Sequence, residues 1–158
     1  MPSPEHAARL ERLFSRAAEE CESTQAVWFG DGLPQALRTV VDLRGEGLAQ
    51  APPEIAFIEV SAVSPQGRAL SDSDPSALTC PVVGLSQSSV EQLGSLVCAR
   101  GETGVQLTRL ICPFAVFDFS SQGVRVREVR HGLTATDLQA RLSTTLWAGP
   151  DLKELGTH

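Results

Sequence analysis

The chain has 158 residues, 42% of them hydrophobic and 20% charged, which suits one soluble globular domain with a real core. Thirteen basic against nineteen acidic residues leave a net charge of −6, which argues against nucleic acid or an anionic membrane as partner, because both are gripped through Lys and Arg. A single lysine, Lys153, and no tyrosine leave a phosphate loop without its lysine and disfavour Schiff-base and tyrosine acid/base chemistry.

Residues 4–21 read as an amphipathic helix. Ala7, Leu10, Leu13, Phe14 and Ala17 recur at three- and four-residue steps, with Arg9, Arg12, Arg16 and Glu20 between them. Residues 1–10 are too polar for a signal peptide, and the longest apolar run, residues 110–117, is too short to span a bilayer. Residues 26–29 form a short strand candidate that runs into Gly30, Asp31, Gly32, Leu33 and Pro34, with a second helix from Pro34 to about Val41.

Residues 43–53 are loop-like. Residues 55–60 are nearly all apolar, the pattern of a strand covered on both faces. Residues 64–75 read as a surface loop, Val82 and Val83 as a short strand, and residues 88–96 as a helix weakened by Gly94. Residues 110–119 are the strongest strand signal. With residues 124–129 and the turn between them they predict an antiparallel hairpin. Thr134 and Asp137 have capping-box spacing before a helix bearing Leu138 and Leu142. The tail from Ala148 onward, with Gly149, Pro150 and Gly156, is expected to be loosely held. Helices and buried strands alternate, which predicts a single α/β domain over residues 1–158, with a mostly parallel sheet flanked by helices and an antiparallel C-terminal hairpin.

The cysteines, Cys21, Cys80, Cys98 and Cys112, have no Cys-x-x-Cys pair and no neighbouring histidine, so no metal site is expected. Cys98 and Cys112 read as small buried hydrophobes, with reduced thiols in a cytoplasmic protein. Gly30 and Gly32 would let a backbone approach a ligand at the start of a helix whose N-terminus favours anions, or simply serve a tight turn. Glu46, between Gly45 and Gly47, and Glu59, in an apolar strand, are the carboxylates that burial would make reactive; a solvated loop residue and an ion-paired strand end are the plain alternatives. His131 reads as a surface residue. Ser86, Ser88 and Ser89 lack a nucleophile motif. Arg100 and Arg109 flank a polar loop, as an anion site or a solvated pair.

The order of segments resembles the β subunit of the class I CoA transferases, or the C-terminal half of their fused forms such as succinyl-CoA:3-oxoacid CoA transferase. The run from Val27 through Gly30, Gly32, Leu33 and Pro34 is similar to that family's Gly-x-Gly-Leu-Pro turn. Pro53 to Val60 is similar to its central strand, and Ser64, Pro65, Gln66 and Gly67 to the turn beyond. Thr108 to Phe119, then Val124 to Glu128 and His131 to Thr134, are similar to its C-terminal block. The resemblance covers about His6 to Trp147.

It implies a shortened α/β fold of the CoA transferase (NagB-RpiA-like) type. It also implies movement of CoA between an acyl-CoA and a carboxylic acid through a glutamyl-CoA thioester. The partner would be an α subunit or further copies of the chain, with coenzyme A as acyl-CoA substrate and no metal. The family's Glu-Asn-Gly nucleophile motif is absent; Glu46-Gly47 is its only trace, so the resemblance assigns Glu46 as nucleophile. Gly30, Gly32 and Gly84 are assigned to the CoA or substrate wall. The alternative is a degenerate member acting as an oligomeric scaffold or as a CoA or small-molecule binding module.

Overall fold

The computed structural model describes residues 4–20, 27–30, 32–43, 54–70, 80–97, 105–120, 123–142 and 145–154. The first helix, α1 (Pro4–Glu19), buries Leu13, Ala17 and Ala18 completely. Strand β1 (Val27–Phe29) leads to α2 (Leu33–Leu43) and then to β2 (Ile55–Glu59). A hairpin of β3 (Ala62–Val63) and β4 (Arg68–Leu70) follows, then β5 (Val82–Leu85). A 3-10 turn (Val90–Gln92) continues into α3 (Leu93–Leu96). The remaining elements are β6 (Val105–Gln106), β7 (Arg109–Ile111), β8 (Ala115–Ser120), β9 (Gly123–Val129), α4 (Ala135–Gln139) and β10 (Leu146–Glu154).

Seven strands form one sheet in the order β1-β2-β5-β7-β8-β9-β10, and β3-β4-β6 form a smaller one. In the large sheet β1, β2, β5 and β7 run parallel. Strand β8 is antiparallel to β7 and β9, and β10 returns parallel to β9. This is the α/β class expected, with the antiparallel strands near the C-terminal end of the chain.

The large sheet separates two apolar clusters. On one face Leu13, Ala17, Ala18 and Leu37 pack on Ile55, Phe57, Val83, Leu85, Ile111 and Val116. On the other, Leu93, Leu96, Leu138 and Leu142 pack with Ala56, Ile58, Leu110 and Phe117. Because β2 alternates between the two clusters, its sequence is apolar at nearly every position.

Four expectations need correction. The single strand over residues 110–119 is two antiparallel strands, β7 and β8, because the chain turns at Pro113 and Phe114, where Cys112 N–H donates to the Ala115 carbonyl at 2.9 Å. The loop over residues 64–75 contains β4, which Ser64 starts by accepting from Arg68 N–H on its hydroxyl at 3.1 Å. The helix over residues 88–96 is a 3-10 turn capped by Ser89 and Gln92, with one α-helical turn. The tail expected to be loose supplies β10, whose register with β9 shifts between Ala148 and Lys153, around the Gly149-Pro150 pair. By contrast, Thr134 caps α4 as its spacing predicts, accepting from Asp137 N–H at 3.1 Å while the Asp137 carboxylate accepts from Thr134 N–H at 2.9 Å.

Candidate functional site

The parallel strands β1, β2 and β5 end at one edge of the large sheet, the place where open α/β sheets hold ligands. There β1 turns directly into α2. Gly30 N–H donates to the Phe57 carbonyl at 2.9 Å, and the Gln35 side-chain amide donates back to the carbonyls of Phe29 and Gly30 at 3.2 and 3.0 Å. Gly30 is buried, Gly32 is exposed, and Pro34 is buried in the first turn of the helix. Gly32 has φ +82°, a conformation that favours glycine.

Glu59, the last residue of β2, brings its carboxylate to this turn. A Cβ at Gly32 would stand 2.8 Å from Glu59 Oε2 and 3.3 Å from Oε1. The first amides of a helix lack partners within it and carry partial positive charge, which favours a carboxylate nearby. A carboxylate of the chain itself therefore stands beside the turn where the sequence anticipates an anion. A phosphate brought to the same place meets like charge.

Beside Glu59 in register is Leu85, and Ser86 follows it. Ser86 is buried. Its N–H donates to the Ile111 carbonyl at 3.1 Å, and its hydroxyl donates to Ser88 Oγ at 3.0 Å while accepting from Ser88 N–H at 3.2 Å. The structure thus brings together Gly30, Gly32, Glu59 and the Ser86–Ser88 pair at the carboxyl edge.

Gly84 does not face that cluster of groups. A Cβ there would stand 2.6 Å from Val60 Cγ2 and 2.8 Å from Leu107 Cδ1, so its missing side chain is filled by the core. Glu46 lies outside the described residues. Arg100, Cys21 and Cys98 also lie outside them. His131 is exposed, and Cys112 is buried with its thiol pushed well above the usual range by burial.

The amino edge carries a network of charges that the sequence only hinted at through Arg109. Its Nε donates to Asp118 Oδ1 at 2.6 Å and its Nη2 to Asp118 Oδ2 at 3.1 Å, while Nη1 pairs with Glu20 at the end of α1. Arg127 Nε lies 3.4 Å from the same Asp118 carboxylate. The Asp118 hydrogen bonds outweigh burial and, with Glu20, hold the Arg109 guanidinium above its ordinary range. Nearby, Arg16 Nε donates to both Glu128 oxygens at 2.9 Å. Burial would lower the Arg16 value, but Glu128 together with Glu20 and Glu19 outweighs it and the net direction is upward. Arg109 meets Glu20 across 89 residues and Arg16 meets Glu128 across 112, so no local motif announces these two pairs.

Among the described residues no group of three His, Cys, Asp or Glu side chains could hold a metal, and no helix is long and apolar enough to cross a membrane. No family model matches the sequence, and no curated protein matches it.

Solved structures do match. The decarboxylase AibA/AibB superposes with a TM-score of 0.68 at 12% identity, over 94% of this chain and 88% of that one. The apoenzyme of the acyl-CoA transferase YdiF from Escherichia coli O157:H7 gives 0.71 at 12% identity, over 93% of this chain but 43% of that one. IpdAB from Rhodococcus jostii RHA1 gives 0.66 at 14% identity, over 95% and 89%. The chain has the CoA-transferase fold, over nearly its whole length. A decarboxylase and an acyl-CoA transferase both share it, so the fold alone does not select a reaction.

Proposed function

We propose that this chain is a CoA-transferase-like subunit that moves CoA between an acyl-CoA and a carboxylic acid, working in the cytoplasm with a partner subunit or further copies of itself. The observation that carries the reading is the carboxyl-edge turn, Gly30 to Pro34 with the Glu59 carboxylate against it, in a fold shared with an acyl-CoA transferase. The glycines give backbone access, and the Glu59 charge disfavours phosphates at that point. The acyl end of the thioester, rather than the CoA phosphates, belongs there.

The nucleophile is Glu46. Its carboxylate attacks the thioester carbonyl, expelling CoA thiolate and leaving an acyl–glutamyl anhydride. The thiolate then attacks the glutamyl carbonyl, releasing the first acid as carboxylate and forming glutamyl-CoA. A second carboxylate attacks in turn, and the thiolate returns to form the new acyl-CoA. Backbone amides of Gly-rich loops would stabilise the oxyanions, Gly30 and Gly32 would line the CoA or substrate wall, and Gly84 acts from within the core by keeping β5 close to its neighbours.

The test is to incubate the protein with acyl-CoA, trap the adduct with borohydride or hydroxylamine, and map the labelled peptide. Label on Glu46, lost in Glu46→Gln, is the expected result. Label on Glu59 instead would make Glu59 the nucleophile. No label, where a known transferase labels, overturns the transfer reading.

A second reading is a non-catalytic member of the fold, acting as an oligomeric scaffold or a CoA or small-molecule binding module. The Glu59 carboxylate set against the α2 N-terminus favours it, since a carboxylate so engaged stabilises a turn without any chemistry.

A further inference from the structure

A cavity of about 640 Å³ opens at the amino edge of the large sheet, on the edge opposite the Gly30–Pro34 turn. Strand pairing sets its shape. Val83, Arg109, Asp118, Arg125 and Trp147 stand side by side in register, one from each of β5, β7, β8, β9 and β10. Side chains in such a row share a face, and all five line the cavity. Four strand spacings make the row about 19 Å long. The apolar cluster that seats α1 and α2 on this face reaches Val116 of β8 and includes no residue of β9 or β10. The outer part of the row is therefore an open trough that runs across the strands, with Ile55 and Val83 at one end and Trp147 at the other.

The charged groups in the trough are occupied with one another. Asp118 takes two N–H groups of Arg109 and lies 3.4 Å from Arg127 Nε, and Glu20 takes a third N–H of Arg109. Arg125, Arg127 and Ser120 have further partners. A charged ligand would have to break into these pairs and strand one of their members.

Hydrogen-bonding capacity remains all the same, of a kind that neutral groups can use. A guanidinium has five N–H groups, so Arg109 keeps two. Thr108 spends its hydroxyl proton on the Val82 carbonyl at 3.2 Å, and among the described residues no donor reaches its oxygen. Trp147 Nε1 has no acceptor among them either; it stands 3.9 Å from where a Cβ of Gly123 would lie. The indole is also the one large hydrophobic side chain exposed among the described residues, at 57%.

We propose that this trough binds a neutral oligosaccharide lying across the strands. The flat C–H side of one sugar ring rests on the electron-rich face of Trp147. Hydroxyls further along the chain donate to Thr108 and accept from Arg109, because a hydroxyl does both without carrying charge. The ion pairs stay intact. Several linked sugar rings span the row, whereas one ring does not. The site stands whether or not Glu46 is labelled.

The full-length protein is titrated with cellotetraose and with maltotetraose, followed by calorimetry at low and high salt. Glucose, a single ring, and tetragalacturonate, a charged chain of the same length, are the controls. The expected result is saturable one-to-one binding of a neutral tetrasaccharide, at least tenfold tighter than either control and unchanged by salt. It should weaken about tenfold in Trp147→Ala and persist in Trp147→Phe. Binding of cellotetraose alone identifies a straight chain as the ligand, and binding of maltotetraose alone a curved one. The proposal is overturned by no saturable binding of either up to several millimolar, by glucose or tetragalacturonate binding as tightly, or by an affinity unchanged in Trp147→Ala. Trp147 is exposed, so its alanine variant keeps the fold.

Discussion

The Glu59 carboxylate lies against Gly32, so that a side chain at Gly32 would strike it at 2.8 Å. The last residue of β2 thereby fixes the turn between β1 and α2. Gly32→Ala is penalised twice, for the positive φ and for the collision, and the expected loss is about 1–2 kcal/mol. Adding Glu59→Ala should restore the part due to collision and leave the part due to φ. Urea denaturation of the four proteins in the cycle measures this, and strictly additive losses would show that the two residues do not touch.

Gly84→Ala should cost about 1–3 kcal/mol by overpacking, because Val60 and Leu107 occupy the space the methyl needs. The same variant in a Val60→Ala background should lose less. Thermal unfolding checks both, and a neutral Gly84→Ala would mean that β5 can move aside freely.

Arg109→Ala takes the main partner from the partly buried Asp118 and Glu20 carboxylates, leaving them the longer contacts to Arg127 and Arg16. Partial exposure discounts the cost of a broken buried pair to about 1–3 kcal/mol. Arg109→Lys keeps the charge but lacks the fork that spans both Asp118 oxygens, and should recover less than half of the loss. Denaturation at low and high salt separates the charge contribution, which salt weakens, from the geometry.

The buried Cys112 thiol predicts a pH dependence. Its folded value is raised, so the folded protein keeps the proton while the unfolded chain releases it near pH 8.5. The unfolded state then binds fewer protons, and stability falls as pH rises, by about 1.4 kcal/mol per pH unit above that point. Below about pH 8 the effect vanishes. Cys112→Ala should remove this extra slope between pH 8.5 and 10, with the other cysteines cancelling in the comparison. Equal slopes would place the thiol in contact with solvent.

Much of the fold was legible because its physics is local. The three- and four-residue repeat of α1, the apolar run of β2, and the Thr134–Asp137 box each act within a few residues. Strands β3 and β4 were not legible, since two or three residues carry no periodicity and their pairing is set by a turn. The break between β7 and β8 was hidden because both strands and the turn between them are buried, so the apolar run never stops. At the site, Gly30, Gly32 and Glu59 were visible as candidates, but their meeting depends on the pairing of β1 with β2. Arg109 was visible as a possible anion site, yet its bond to Glu20 spans 89 residues.

The Arg16–Glu128 pair joins the first helix to a strand 112 residues later. The apolar seat of that helix likewise includes Val116. A 16-residue helix alone in water is marginal, and the contacts that complete the seat of α1 form only once β8 and β9 exist. At a synthesis rate of about 5–20 residues per second, the segment waits roughly 6–22 s after it is made. For that interval the stripe of Leu13, Phe14 and Ala17 on a growing chain is without its Val116 contact. The first element made is therefore among the last to have its contacts completed.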